Sequence, residues 1–199
     1  KKYAIAENKK VILYAPTFSS KMESATELLD VIPQIIRDDE FWIFKFHELM
    51  DKEMVEKFRD RLSENSMIDQ TNDITPYLHL ADIMISDTSS VLYEFMILNK
   101  PVITYKTIDR PDKGINILSP DKLRASIDRS FKNKNEFEEN RKKHISEINP
   151  IIDGNISKKI IDELGKVDVQ SFPKKGKPLN LFRKCQIIYH SIFRKGYLR

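Results

Sequence analysis

Short apolar runs alternate with amphipathic segments along the first 105 residues. The runs are rich in β-branched and aromatic residues, which favours strands. They cover residues 10–16, 41–46, 81–86 and 100–105, with a weaker run at 66–70. The segments between them repeat apolar residues at helical spacing, at residues 25–39, 51–65, 74–81 and 89–99. This alternation predicts an α/β fold, a doubly wound, Rossmann-like parallel sheet with helices on both faces.

Two breaks and a change of character complete the pattern. Pro33 lies inside the first helical segment and is expected to kink or split it. Beyond Pro120 the sequence turns helical and highly charged, and residues 135–148 are predicted to form a solvated surface helix. A Pro/Gly/Lys-rich linker at 173–178 precedes a last segment of mixed apolar and basic residues. We therefore predict two parts, a nucleotide-donor-binding domain over residues 1–169 and a basic amphipathic tail over 170–199.

Charge separates these two parts. Residues 170–199 carry eight Lys or Arg and no acid, so the remaining residues hold 26 bases against 30 acids. The net charge of +4 therefore belongs to the tail, and nucleic-acid binding is not predicted from it. One cysteine and four separated histidines give neither an internal disulfide nor a metal-ligand spacing, and no cofactor is expected. The chain begins without Met, and we expect it to be a piece of a longer protein.

The stretch "ISDTSSVLYEF" holds the strongest candidate chemistry. Thr88, Ser89 and Ser90 lie where a buried strand gives way to a helix. Helix starts present unpaired N–H groups, and small hydroxyl residues add donors, which suits a phosphate or diphosphate. Ordinary helix capping by one of the hydroxyls is the alternative. Glu94, one turn later, is placed to accept hydrogen bonds from ribose or polyol hydroxyls, although a solvated helix Glu is the commoner outcome.

Two other strand ends carry polar groups that the same sheet edge would bring together. His47 follows the strand at 41–46 and is a candidate phosphate donor or proton shuttle, or else an ordinary loop histidine. Thr17 and Lys21 follow the first strand and add further donors. No glycine-rich dinucleotide fingerprint or Walker lysine occurs.

These pieces together resemble the CDP-glycerol glycerophosphotransferase family, the teichoic-acid and capsule polymerases with a GT-B fold. The matching text is "ILYAPTF", "KFHEL", "ADIMISDTSSVLYE", "NKPVITY" and "DGNISKKII", over roughly residues 9–165. The sequence departs from the family pattern in places: Thr88 replaces a Tyr, Glu48 a Pro, and Glu94 an Asp. Ser19 stands where an Arg is common, and Lys21 is the nearest replacement.

The resemblance implies a function and assigns roles. It implies that this chain is the donor-binding half of a GT-B transferase that moves a polyol-phosphate from a CDP-activated donor to a polymer or lipid-linked acceptor. His47 is then catalytic, Thr17, Lys21, Thr88, Ser89 and Ser90 bind the donor phosphates, and Glu94 contacts the ribose or polyol. The family's usual catalytic base lies in an N-terminal domain that is missing here.

Two other functions stay open at this point. The same GT-B fold also serves glycosyltransferases and epimerases that use UDP-sugars, some of which carry two glycines where Ser89 and Ser90 stand. A module that binds membrane surfaces or nucleic acid through the basic tail is the alternative of another class. For the transferase, we expect a cytoplasmic protein held peripherally on the anionic inner face of the membrane by its tail.

Overall fold

The computed structural model describes residue 5 and residues 8–19, 24–167 and 180–193. These residues form six strands and nine α-helices. The strands are β1 (Lys10–Tyr14), β2 (Glu40–Lys45), β3 (Ser66–Asp69), β4 (Ile83–Ser86), β5 (Val102–Tyr105) and β6 (Ile115–Ile117). The helices are α1 (Ala25–Leu28), α2 (Ile32–Ile35), α3 (Lys52–Arg59), α4 (Thr75–Leu80), α5 (Val91–Ile97), α6 (Leu123–Lys132), α7 (Glu138–Ile148), α8 (Ile156–Gly165) and α9 (Leu181–Phe193).

The strands form one parallel sheet in the order β3-β2-β1-β4-β5-β6. The chain builds outward from β1 to β3, then returns to the other side of β1 and builds outward again through β6. The order therefore reverses between β1 and β4. In open α/β sheets, ligands bind beyond the carboxyl ends of the strands at such a reversal.

Alternate side chains of the central strands enter two separate apolar cores, one on each face of the sheet. Ile12 and Tyr14 of β1 join the core covered by α1, α2, α3 and α6. Val11 and Leu13 join the core covered by α4, α5 and α7. Strands buried on both faces explain the continuous apolar runs in the sequence. The prediction of a doubly wound, Rossmann-like sheet is confirmed.

Local details follow from single residues. Pro33 opens α2 and separates it from α1, as its missing N–H predicts. β6 was not predicted, since only three residues form it. Gly114 precedes it, and a Cβ at that position would lie 2.1 Å from the carbonyl oxygen of Val102. Only glycine lets the chain approach β5 closely enough for β6 to pair.

The surface helix predicted over residues 135–148 forms as α7 from Glu138, but the prediction that it is solvated is wrong for one face. Ile145 is buried in the same core as Phe95. Arg141 is also buried, and its guanidinium donates to the backbone carbonyls of Asn99 and Lys134 at 3.3 and 3.1 Å. These bonds satisfy the buried charge, which is why a charged sequence can still pack.

The chain divides into two compact units, Lys1–Gly154 and Asn155–Arg199. The second contains α8 and α9, and exposed apolar side chains of these helices include Ile160, Ile161, Leu181 and Phe182. No helix in the described part of the chain is long and apolar enough to cross a bilayer. The predicted boundary between residues 169 and 170 stays a prediction, because residues 168–179 lie outside the described range.

Candidate functional site

A cleft of ≈ 1060 Å³ opens at the carboxyl ends of the strands, within the first unit. Its walls come from the segments that follow β1, β2, β3 and β4. Six of the seven predicted site residues line it: Thr17, His47, Thr88, Ser89, Ser90 and Glu94. The seventh, Lys21, lies outside the described residues. The topology therefore brings together side chains that are up to 77 positions apart in the sequence.

The segment Thr88–Ser89–Ser90, which we call the hydroxyl turn, leads from β4 into α5. Ser90 occupies the N-cap position of α5, but its side chain makes no capping hydrogen bond. Among the described residues, none of the three hydroxyl groups has a hydrogen-bond partner, and those of Thr88 and Ser90 are exposed. The capping alternative therefore does not account for the hydroxyls, which are free to bind a ligand. Glu94 is exposed one turn further along the same helix.

His47 is oriented by two neighbours. Its Nδ1 accepts a hydrogen bond from the backbone N–H of Leu49 at 3.1 Å. In the neutral ring the proton is then on Nε2, which becomes a donor. The ring of Phe18 lies against the imidazole, with centroids 4.4 Å apart and an interplanar angle of 31°. An exposed histidine held in this way can donate to an anionic group in the cleft.

Asp87 lies beneath the cleft and is fully buried. Its carboxylate accepts hydrogen bonds from the backbone N–H groups of Thr17, Ser24 and Thr88, at 2.9, 2.8 and 2.7 Å, and from the Ser24 hydroxyl at 3.0 Å. Burial raises the pKa of Asp87, although these four bonds act in the opposite direction. Asp87 is part of the stretch "ISDTSSVLYEF", but no pattern in the sequence predicted a role for it.

A second buried aspartate lies at the end of β3. Asp69 accepts hydrogen bonds from the Thr71 backbone N–H and hydroxyl at 3.0 and 2.6 Å. The Lys45 ammonium lies 3.5 Å from the same carboxylate and also donates to the Thr71 carbonyl. Burial alone would raise the pKa of Asp69. Hydrogen bonds from Thr71 and Tyr77, with the charge of Lys45, outweigh burial and hold that pKa below its ordinary value.

Lys45 and Thr71 also line the cleft, and sequence reasoning missed both. The one available signal was a lysine near the end of the otherwise apolar strand "FWIFKF". Nowhere in the described residues do three His, Cys, Asp or Glu side chains cluster as metal ligands would.

Curated relatives with similar sequences are teichoic-acid enzymes. The chain is 31% identical over 111 residues to a teichoic acid poly(ribitol-phosphate) polymerase of Bacillus spizizenii, which covers 52% of this chain and 17% of the relative. It is 35% identical over 107 residues to a teichoic acid glycerol-phosphate primase of Bacillus subtilis, covering 50% of this chain and 26% of the relative. The chain thus spans only a fraction of the length of these proteins.

Solved structures share the fold. A variant of the wall teichoic acid polymerase TagF soaked with CDPG superposes with a TM-score of 0.60 and 22% identity, over 82% of this chain and 42% of that one. A UDP-GlcNAc 2-epimerase from Neisseria meningitidis bound to UDP-GlcNAc superposes with a TM-score of 0.54 and 19% identity, over 82% of this chain and 46% of that one. At these identities the likeness shows the fold alone, and it confirms the Rossmann-like half of a GT-B structure.

The family itself is established by sequence. Residues 1–110, more than half of the chain, match the model of the CDP-glycerol:poly(glycerophosphate) glycerophosphotransferases. This range contains β1 to β5 and all the predicted cleft residues. It confirms the resemblance seen in "ILYAPTF" and "ISDTSSVLYEF", and favours it over the UDP-sugar and tail-only alternatives. The chain belongs to the CDP-glycerol:poly(glycerophosphate) glycerophosphotransferase family.

Proposed function

We propose that this chain is the donor-binding part of a transferase that moves glycerol-phosphate, or a related polyol-phosphate, from a CDP-activated donor to a growing polymer. The observation that carries the proposal is the hydroxyl turn: three hydroxyls without partners among the described residues, at the reversal point of the sheet. An anion is the natural ligand for a group of donors at this place. The matching family acts on CDP-glycerol.

The chemistry follows from where the donors lie. An acceptor hydroxyl oxygen attacks the phosphorus that bears the polyol, the bond from that phosphorus to the bridging oxygen breaks, and CMP leaves. Negative charge grows on the diphosphate oxygens as this bond lengthens. Ser89, Ser90 and the Nε2 proton of His47 stabilise that charge, which is the main contribution of preorganised donors to such reactions. Glu94 accepts from the ribose or polyol hydroxyls.

In our proposal, the acceptor binds outside this part of the protein. The catalytic base that takes the proton of the acceptor hydroxyl lies outside it as well. Support comes from length, since the chain spans 17% and 26% of the two relatives described above. We infer that a further N-terminal domain faces the cleft, supplies the catalytic base and holds the polymer or lipid-linked acceptor.

Support for a cytidine nucleotide comes from the relatives. Their names specify glycerol-phosphate and ribitol-phosphate products, and the TagF variant was soaked with CDPG. The test is calorimetric titration of the intact protein with CDP-glycerol, CDP-ribitol, CDP and UDP-GlcNAc. We expect a CDP ligand to bind most tightly. Preference for UDP-GlcNAc would contradict the proposal.

Variants connect that binding to the hydroxyl turn. Ser89→Ala combined with Ser90→Ala should weaken CDP-glycerol binding by about 1–3 kcal/mol, since charge-assisted hydrogen bonds are lost. Ser63→Ala removes an exposed hydroxyl between α3 and β3, at the opposite edge of the sheet, and is the matched control. An unchanged dissociation constant in the double variant would count against the proposed site.

We further propose that the tail attaches the protein to the anionic inner face of the membrane. Leu181, Phe182 and Ile188 of α9 are exposed, at spacings that place them along one side of the helix. Residues 170–199 carry eight basic residues and no acid. Anionic lipid attracts such residues by about 1 kcal/mol each near the surface. Teichoic-acid acceptors would meet the enzyme there.

Vesicle co-sedimentation tests the attachment. We expect binding to anionic vesicles that is lost in several hundred millimolar salt and in protein lacking residues 170–199, with no binding to neutral vesicles. Leu181→Glu combined with Phe182→Glu should weaken binding without changing the basic residues. Binding that survives both high salt and removal of the tail would refute the attachment.

A further inference from the structure

The bonds of Asp87 join two segments of the cleft wall that are distant in sequence. Thr17 and Ser24 are the two ends of the loop that follows β1, and both donate to this one carboxylate. Thr88, which starts the hydroxyl turn, donates to the oxygen that also accepts from Thr17. A single buried group thus holds both Thr17 and Ser24 and fastens them to the hydroxyl turn.

Further bonds reinforce this arrangement from behind. The backbone carbonyl of Asp87 accepts a hydrogen bond from the Thr107 hydroxyl at 2.7 Å, and Thr107 is tied in turn to Asn116 of β6. The hydroxyls of Tyr14 and Ser24 lie 2.9 Å apart. The position of Asp87 is therefore fixed by β1, β4 and β6 together.

The partners of the carboxylate are unusual for a buried charge. All four of its hydrogen bonds come from neutral groups, three of them backbone N–H groups. A buried carboxylate without a cation is costly, and hydrophobic packing could stabilise a sheet without it. Backbone N–H groups, however, have fixed directions, so accepting from three of them sets the relative position of the loops that carry them.

We propose that Asp87 is a positioning residue for donor binding, which fixes Thr17 and Ser24 against the hydroxyl turn before the donor arrives. Asp87 does not line the cleft and acts only through Thr17 and Thr88, both of which do. The inference rests on the proposed function, since the ligand that benefits is the diphosphate of the donor. Pre-fixed donors bind better because less ordering is needed on binding.

The test compares two ligands in the full-length protein, CDP-glycerol and cytidine, which lacks phosphates. Asp87→Asn keeps the side-chain shape but replaces one oxygen with an NH₂ group, which must face an N–H donor. We expect CDP-glycerol affinity to fall at least about tenfold, the scale of one charge-assisted bond, with cytidine affinity unchanged. A purely structural role predicts no loss in a folded protein, or equal losses for both ligands, and either result overturns the proposal.

A milder variant keeps the test decisive if Asp87→Asn does not fold. Ser24→Ala removes the hydroxyl that donates to Asp87 and contacts the Tyr14 hydroxyl, but keeps the three backbone N–H bonds to the carboxylate, and we expect about a threefold loss for CDP-glycerol and none for cytidine. Ser126→Ala is the matched control, because it also removes a buried serine hydroxyl, one that donates to the carbonyl of Lys122 just before α6. No change for Ser24→Ala would overturn the proposal. Absence of CDP-glycerol binding by the wild-type protein would instead refute the proposed function.

Discussion

Two buried aspartates, each at or just past the end of a strand, have opposite surroundings. Asp69 faces an ammonium, that of Lys45, and its other bonds come mainly from Thr71, two residues away. Asp87 meets only neutral donors, and its bonds to Thr17 and Ser24 span 70 and 63 residues. The first arrangement orders the loop that follows β3 and ties it to the neighbouring strand β2. The second joins separate parts of the chain at the reversal point of the sheet.

The difference divides the cleft into two sides. On the Asp69 side, the nearest cation already has a carboxylate partner. On the Asp87 side, the hydroxyl turn and the Nε2 of His47 offer donors with no protein partner among the described residues. Phe18 belongs to this second side, since it follows Thr17, which donates to Asp87, and packs on His47. We expect the anionic part of a ligand to bind on the Asp87 side.

The largest effect should come from deleting the carboxylates. Asp87→Ala leaves three N–H groups without an acceptor, that of Ser24 buried and those of Thr17 and Thr88 part-buried, and we expect the free energy of unfolding to fall by about 3–5 kcal/mol. Asp69→Ala leaves the Lys45 ammonium and Thr71 without their carboxylate partner, but both lie near the cleft surface, where water can replace the lost bonds. We therefore expect a fall in the free energy of unfolding of about 1–3 kcal/mol. Urea unfolding measures both values. A larger loss for Asp69→Ala would reverse the comparison.

His47→Ala tests the Asp87 side by catalysis. We expect turnover of the full-length enzyme to fall by about 10²-fold, the effect of losing one donor to developing negative charge. His79→Ala is the control, because His79 is also exposed but lies on α4, outside the cleft. Wild-type turnover in a folded His47→Ala protein would leave His47 with only a structural role.

Lowering the pH should change the stability contributions of the two aspartates in opposite directions. The pKa of Asp69 lies below its ordinary value of 3.8, so the stability from its ionised form is present above that pH and is lost as pH falls through the folded-state pKa. The pKa of Asp87 is raised above 3.8, so ionisation costs stability above the folded-state pKa, and the cost disappears as pH falls toward 3.8.

Unfolding free energies from pH 7 to pH 3 can be compared between the wild type and each Asn variant. The wild-type advantage over Asp69→Asn should shrink at the acid end. Relative to Asp87→Asn, the wild type should gain stability on acidification between neutral pH and about pH 4. The same sign for both differences would contradict the assigned environments.

The smallest effect concerns the ring that packs on His47. Phe18→Leu removes the contact between two aromatic rings, and such contacts contribute about 0.5–1.5 kcal/mol. We therefore expect a several-fold loss of turnover with a near-wild-type melting temperature. Leu49→Ala is the control, since Leu49 is a still more exposed apolar residue on the neighbouring loop. Equal effects of the two substitutions would show that the ring contact has no special role.

Much of the sheet was predictable because its signal is local. Period and composition located β1 to β5, and Pro33 marked the break between α1 and α2. β6 has three residues, too few to show a periodic pattern, and it pairs with β5 only because Gly114 allows the two segments to approach closely. The buried face of α7 could not be predicted, because an arginine such as Arg141 is expected to be solvated. Its burial depends on the backbone carbonyls that accept its hydrogen bonds, which the sequence does not reveal.

The candidate site shows the same limit. Hydroxyls at a strand-to-helix turn, and a histidine after a strand, can be read from neighbouring residues, and the structure brings them together in one cleft. The role of Asp87 could not be read in this way, because its partners Thr17 and Ser24 are far away in the sequence. The pairing of Lys45 with Asp69 likewise depends on β2 lying beside β3.

The central claim is that the donor diphosphate binds on the Asp87 side of the cleft. A structure of the full-length protein with bound CDP-glycerol tests it most directly. We predict that the diphosphate oxygens lie within hydrogen-bonding distance of the Ser89 and Ser90 hydroxyls and of His47 Nε2. A diphosphate held instead by Lys45 and Thr71, with the hydroxyl turn empty, would contradict the account.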